Sequence, residues 1–244
     1  MYLIGFHAIE ERIKAGGGRE LLVAKAGPRA REILDIAVKH KVKVNRVGTF
    51  DLDRLAPDNR GIALKVTDAG GGSSLTLETA LVQLGDRKNA LVVMMDEITD
   101  PHNYGAIIRS CDQFGVDFAV TRDRRIAKRG EIVAQTSAGA SAWVAVVETP
   151  LQRAMEHLKD AGFWIFGADM DGDPVFEKNL SGRVVLAFGG EGSGLSRLVR
   201  GNCDGLVSIP SLGKIDSLNV SVAAGILLYE VRRQWRCAAE QGSF

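Results

Sequence analysis

Cysteine and histidine are scarce in this chain of 244 residues, with three of the first and four of the second. Cys111, Cys203 and Cys237 lie far apart and form no CxxC pair, which argues against a disulfide framework or a cysteine zinc site. The histidines show no HExxH spacing. Metal-dependent chemistry is therefore not expected, and three free thiols fit a reducing, cytoplasmic compartment. Long hydrophobic runs are absent too. The longest nearly apolar stretch, Val220 to Tyr229, is about half of the roughly 20 residues a membrane span needs. The start, MYLIGFHAIEERIKAGGG, puts acids directly after a short apolar segment, so no signal peptide is expected. Net charge is nearly absent, at +1. By itself that argues weakly against a nucleic-acid partner. The distribution says more: residues 1–72 hold 13 Lys and Arg against 9 Asp and Glu, the rest 18 against 21. A small basic piece joined to a larger acidic one fits a front end that grips a polyanion.

With 45% hydrophobic and 25% charged residues the chain is an ordinary globular one. The 28 glycines are the excess, and Asp68-Ala69-Gly70-Gly71-Gly72-Ser73-Ser74 offers nothing to bury, so it reads as a linker. The expected organisation is a front α/β domain at 1–67, a linker at 68–75 and a larger domain at 76–244. In the front domain His7–Ala15 and Arg29–Lys41 read as helices, the second with apolar Ala30, Ile33, Leu34, Ala37 and Val38 at helical spacing. Leu21–Lys25, Val42–Val47 and Ile62–Val66 read as strands. The back domain alternates strands (Ala90–Met95, Val116–Thr121, Ala142–Val147, Phe163–Gly167, Val184–Phe188, Gly205–Ile209) with helices (Asn103–Phe114, Leu151–Ala161, Leu195–Arg200, Leu218–Trp235). Such alternation predicts a parallel sheet with helices on both sides, whose ligands bind at the carboxyl ends of the strands.

Three loops after strands hold the candidate chemistry. In Asp96–Arg109, either Asp100 or Asn103 suits a helix N-cap and Pro101 a helix entrance. Arg109 stands among Ala106, Ile107, Ile108 and Cys111 on a helix otherwise fit for burial. It needs a partner, either a phosphate or an internal acid. In Gly189-Gly190-Glu191-Gly192-Ser193-Gly194-Leu195 four glycines in six positions permit close ligand approach. GxGxxG fails because its third glycine falls on Leu195, and no GxxxxGK[ST] occurs. Glu191 is either a cap or a polar anchor. In Ile209–Ala223, either Ser217 or Asn219 suits the N-cap of the last helix.

DPHNYGAIIRS, GGEGSGL and SIPSLGKIDSLNVSVAAGILLYE, in this order, resemble the three motifs of the SpoU (TrmH) family of SPOUT RNA ribose 2′-O-methyltransferases, over about residues 90–235. Tyr2–Glu10 and Asn59-Arg60-Gly61-Ile62-Ala63 resemble the small substrate-binding domain of the family's 23S rRNA guanosine enzymes. The resemblance implies S-adenosylmethionine as cofactor and no metal. It implies a trefoil-knotted parallel-sheet catalytic domain behind a small α/β substrate-binding domain. It implies catalytic roles for Asn103, Arg109, Glu191, Ser217 and Asn219. The cofactor is expected at Gly189, Gly190, Gly192, Ile209, Ser211, Leu212, Gly213 and Leu218. It further implies a homodimer, to which Leu227, Leu228, Val231 and Trp235 either contribute or serve as ordinary core. Arg122, Arg124, Arg125, Lys128 and Arg129, in a run of basic residues after the second strand, are candidates for RNA phosphates rather than plain surface. The expected reaction is methylation of an rRNA ribose, with tRNA as the alternative substrate. An idle RNA-binding or assembly factor and a dinucleotide oxidoreductase are the readings of other classes.

Overall fold

The computed structural model describes residues 2–14, 16–57, 59–66, 75–122, 133, 136–137, 140–213 and 217–241. The chain divides into two units, Met1–Ser74 and Leu75–Phe244. The expected linker lies outside the described residues, except for its last residue, Leu75.

The first unit runs β1 (Tyr2–Leu3), α1 (Phe6–Lys14), β2 (Gly18–Val23), α2 (Pro28–Lys39), β3 (Lys43–Arg46), α3 (Thr49–Leu55) and β4 (Ile62–Val66). Its sheet has the order β1-β4-β2-β3, with β2 and β3 parallel and β4 antiparallel to both neighbours. Ala30, Ile33 and Ala37 of α2 are buried as their spacing demands, while Val38 falls off that face and is exposed. Periodicity does not announce α3, because Leu52 is its single buried residue. Asn59 holds its far end: its amide donates to Ala56 O (2.9 Å) and Asp53 Oδ1 (2.6 Å), and its Oδ1 accepts from Gly61 N (2.7 Å). Gly61 has φ +90°, and a Cβ there would lie 2.5 Å from Lys25 O. Asn59 and Gly61 are thus required by backbone geometry.

The second unit runs α4 (Leu77–Leu84), β5 (Ala90–Asp96), α5 (Pro101–Gln113), β6 (Phe118–Thr121), a 3₁₀ turn (Ala140–Ala142), β7 (Val146–Glu148), α6 (Leu151–Asp160), β8 (Trp164–Pro174), a second 3₁₀ turn (Val175–Glu177), β9 (Arg183–Gly189), α7 (Arg197–Asn202), β10 (Gly205–Ser208) and α8 (Val220–Gln241). Its six strands lie in the order β10-β8-β9-β5-β6-β7, with every neighbouring pair parallel. Strand β5 is buried along its whole length. Leu91, Val93 and Met95 enter one cluster with α5 and α8, and Ala90, Val92 and Met94 enter the other with α4, α6 and α7. A strand covered on both faces needs apolar residues at every position.

Several expected elements have other bounds: the helix expected at Leu195 starts at Arg197, after its Ser196 cap, and the last helix runs Val220–Gln241. The strand expected at Ala142 begins at Val146, because the chain is still in a 3₁₀ turn. The strand expected to end at Gly167 continues to Pro174. Leu206 of β10 faces Gly167 while Val207 faces Asp173, so 168–172 form an irregular insert in the ladder. Strand entry is held by carboxylates that no periodicity reveals. Asp117 accepts from Leu91 N and Asp204 from Ile165 N, each at 2.8 Å.

Candidate functional site

Strands β5 and β9 are neighbours, with Asp96 paired to Gly189 at their carboxyl ends. The first two candidate loops therefore leave the sheet side by side. Asp100 is the N-cap of α5, accepting from Asn103 N at 2.9 Å, with Pro101 in the first helical position. That capped turn starts the helix at a defined residue, which puts the Asn103 side chain at the mouth of the loops. After β9 the chain folds back on itself: Gly190 and Gly194 form an antiparallel bridge, and Gly194 N donates to Gly190 O at 3.0 Å. This return needs glycine. Gly192 and Gly194 have φ of +80° and +62°, and a Cβ on Gly189 would overlap the backbone of Gly194 and Leu195.

The return presents Glu191 to two amides. Asn103 Nδ2 donates to Glu191 Oε1 at 2.7 Å, and Asn219 Nδ2 donates to the same oxygen at 3.0 Å. Asn219 Nδ2 also reaches Asn103 Oδ1 at 2.9 Å. Three residues from three loops, up to 116 positions apart, thus close one cluster. Glu191 is an anchor, and its role as a helix cap falls away. Asn219 does double duty, since its Oδ1 caps α8 by accepting from Ser221 N at 2.9 Å and Val222 N at 3.4 Å. With Oδ1 held by the helix, the amide nitrogen is aimed at Glu191.

The other expected residues divide. Arg109 stands six residues beyond Asn103 on α5, about 9 Å along the axis at 1.5 Å per residue, so the cluster does not include it. It is exposed rather than buried among its apolar neighbours. Among the described residues it has no ion-pair or hydrogen-bond partner, so the internal acid considered from sequence is not there. The reason is helical phase: Ile107, Ile108 and Cys111 take the core face and leave position 109 outward. Ser217 is exposed two residues before Asn219. Gly189 and Gly190 are buried at the strand end, Gly192 is exposed, and Ile209 packs partly against the core. Ser211 and Gly213 are exposed and linked at 3.4 Å. Arg122 pairs with Glu97 at 2.9 Å. Arg124, Arg125, Lys128 and Arg129 lie outside the described residues.

Of the two roles open to Leu227, Leu228 and Val231, the structure shows ordinary core. They are buried in their own chain's core, and Trp235 donates from Nε1 to Leu180 O at 2.8 Å. The face of α8 left outside is Val222, Ile226 and Tyr229. Asp96 is the site residue to which sequence reasoning gave no role. It is buried and accepts from Ser196 N at 2.8 Å, tying the end of β5 to the start of α7. An acid closing an all-apolar strand was its signal.

The thiols do not belong to this chemistry. Burial pushes Cys111 up to about 12 and Cys203 up to about 11, so both are protonated near neutral pH. Among the described residues no group of His, Cys, Asp and Glu is placed to hold a metal ion, and no helix is long and apolar enough to cross a membrane. The loop set does fit an adenosyl cofactor. The third loop leaves apolar Leu212 and Leu218 104% and 43% exposed, side chains that the flat face of an adenine would cover.

Comparison with known proteins agrees with this geometry. The profile of the SpoU rRNA Methylase family matches residues 90–229, and that of RNA 2'-O ribose methyltransferase substrate binding matches residues 2–69. The 23S rRNA (guanosine-2'-O-)-methyltransferase RlmB of Xanthomonas campestris is 37% identical over 241 residues, covering 96% of each chain. An uncharacterized tRNA/rRNA methyltransferase of Borreliella burgdorferi is 37% identical over 218 residues, 86% of this chain and 96% of the other. The crystal structure of the SpoU methyltransferase AviRb from Streptomyces viridochromogenes in complex with AdoMet superposes with a TM-score of 0.74 at 27% identity, covering 96% and 89%. The profile match over residues 90–229, with the substrate-binding match before it and a relative at 37% identity over 96% of each chain, shows that the chain belongs to the SpoU rRNA methylase family.

Proposed function

We propose that this chain transfers a methyl group from S-adenosylmethionine to a ribose 2′-hydroxyl of RNA, a guanosine of 23S rRNA. The single observation that carries the reading is the Asn103–Glu191–Asn219 cluster, closed by three loops at the carboxyl ends of a parallel sheet. Identity to RlmB over nearly the whole chain supports rRNA over tRNA, and the presence of a front unit that matches a substrate-binding family supports it again.

The cofactor, when bound, supplies a methyl group on a sulfonium. Gly189, Gly190, Gly192, Ile209, Ser211, Leu212, Gly213 and Leu218 are the residues that would hold it, through loop backbone and apolar cover. Asn103 and Asn219 fix Glu191 through one carboxylate oxygen and leave the other free to orient a hydroxyl. Ser217 adds a hydroxyl beside Asn219. Arg109, with its planar guanidinium fork, clamps a phosphate next to the target and stabilises the ribose oxygen as the hydroxyl proton passes to solvent water. Holding two reactants in line supplies much of the rate, with effective molarities of roughly 10⁵–10⁸ M. The residues Arg122, Arg124, Arg125, Lys128 and Arg129 serve RNA phosphates, the domains are 1–67 and 76–244 with a linker at 68–75, and the second of them carries the trefoil knot that the family resemblance implies. The compartment is the cytoplasm.

The working unit is a homodimer built on the outward face of α8. Val222, Ile226 and Tyr229 are 50%, 39% and 58% exposed, one helical stripe of apolar residues. Ile226→Glu is expected to shift the sedimenting species from dimer to monomer; a wild-type monomer would overturn this assembly.

The function is tested by transfer of labelled methyl groups to separate pools of unmodified 23S rRNA, 16S rRNA and tRNA. Label at a guanosine ribose of 23S rRNA is the expected result. Label confined to tRNA keeps the chemistry and overturns the substrate. No label in any pool, with the cofactor bound, favours an idle RNA-binding factor.

A further inference from the structure

The first unit carries a surface that its fold does not need. Strand pairing sets Val23, Arg46 and Ile62 side by side at one end of its sheet. The loops at that end are held together by backbone bonds: Ala24 N and Lys25 N both donate to Gly61 O (2.9 and 3.2 Å), and Val47 N donates to Val23 O (3.1 Å). They bring Lys25, Arg46 and Arg60 to one edge, all exposed. Some of the other exposed cations of this unit have carboxylate partners. Lys14 pairs with Glu10 and Glu11, Arg29 with Glu10 and Glu32, and Lys43 with Glu20. Among the described residues Lys25, Arg46 and Arg60 have none, and neither have Arg19, Arg31, Lys39, Lys41, Arg54 and Lys65. What sets Lys25, Arg46 and Arg60 apart is that the loops gather them at one end of the sheet. Of the nearby acids, Asp53 accepts from Asn59 at 2.6 Å, and Asp51 is exposed next to Phe50 in sequence.

Phe50 adds an aromatic side chain. Helix α3 buries Leu52 against Leu22 and Ala63, and a residue two positions earlier points roughly the opposite way at 3.6 residues per turn. Phe50 is 78% exposed. It lies one turn from Asp53, which Asn59 ties to Arg60's loop. Arg60 itself has φ +51°, so the turn holds its backbone in the left-handed region. An exposed aromatic face four residues beyond Arg46, on the unit whose loops gather cations without acid partners, is the chemistry that binds an unpaired nucleotide: the ring stacks on the base and the cations take the flanking phosphates.

We propose that Phe50, with Lys25, Arg46 and Arg60, is the platform on which the first unit captures an unpaired base of the RNA substrate. The proposal rests on the RNA reading above and adds the surface, the base-stacking residue and the single-stranded character of the segment. Phosphate contacts give this platform grip, and it tolerates sequence because every base has a face to stack.

The experiment compares wild type, Phe50→Ala, Phe50→Trp and Arg60→Asn, the last chosen because asparagine tolerates positive φ. Two readouts use the full chain: anisotropy of labelled transcribed 23S rRNA fragments without cofactor, and methyl transfer to the same RNA. Phe50→Ala is expected to weaken binding about 5- to 100-fold, the range for one lost stacking partner, and to raise KM with kcat unchanged. Phe50→Trp keeps wild-type binding, which a merely structural role would not predict for a larger ring. Arg60→Asn lowers the salt dependence of binding by about one phosphate contact. Wild-type affinity and KM in Phe50→Ala would overturn the platform. Loss of binding in both Phe50 variants with a lowered melting temperature overturns it as well. Absence of methyl transfer by the wild type, with Phe50-dependent binding intact, would strike the proposed activity and leave the platform standing.

Discussion

Arg109→Ala is expected to lower kcat by about 10²–10³-fold, the range for removing one preorganised donor from a developing oxyanion, while the melting temperature and cofactor binding stay at wild-type values. The exposure of Arg109 makes the separation clean. The side chain leaves the core face of α5 to Ile107, Ile108 and Cys111 and has no acid to release, so its loss creates no unpaired partner. A buried arginine would confound the result, because removing one member of a buried ion pair costs stability by itself. The Lys variant divides the two chemical roles. Lysine keeps the charge and loses the planar fork, so a clamp predicts partial activity with an unchanged pH–rate profile. A base predicts a profile shifted by the lower pKa of an amine. Wild-type kcat in Arg109→Ala would remove Arg109 from the mechanism.

Gly189→Ala is expected to cost the fold about 3 kcal/mol, the upper part of the usual overpacking range, and to lower the melting temperature by roughly 6–12 °C on the scaling for a unit of this size. The added methyl overlaps backbone atoms of Gly194 and Leu195, which no rotamer change can relieve. The Gly190–Gly194 return has to move, and Glu191 moves with it, away from Asn103 and Asn219. Cofactor binding and methyl transfer should fall together with stability. Gly192→Ala is the control: the space around it is open and only its positive φ is strained, a cost of about 1–2 kcal/mol. Equal melting of Gly189→Ala and wild type would show that the loop does not fold back on β9 as described.

The contrast between these two positions shows how much of the site was legible beforehand. The glycine run was visible as a run, and its failure to fit dinucleotide spacing was a matter of counting. Which glycine bears the close approach was not visible, because Gly189 and Gly192 differ in what lies across from them. The same holds for the polar candidates. Asn103, Glu191 and Asn219 are readable as candidates. That two amides converge on one carboxylate oxygen follows from the adjacency of β5 and β9 and from the cap that Asn219 gives α8.

Sequence alone determined the alternation of strand and helix, the burial of β5 on both faces and the three loops that matter, since each is written in local periodicity or composition. It also carried the family resemblance, because three motifs in fixed order are a local record. Tertiary structure decided the strand order β10-β8-β9-β5-β6-β7, the outward turn of Arg109, and the burial of Leu227, Leu228 and Val231 in place of Val222, Ile226 and Tyr229. It also decided the short helix α3, whose one buried residue leaves no period to read, and with it the exposure of Phe50. Periodicity states that a side has to be covered. Only the packing of distant segments states by what, and which side is left for a partner.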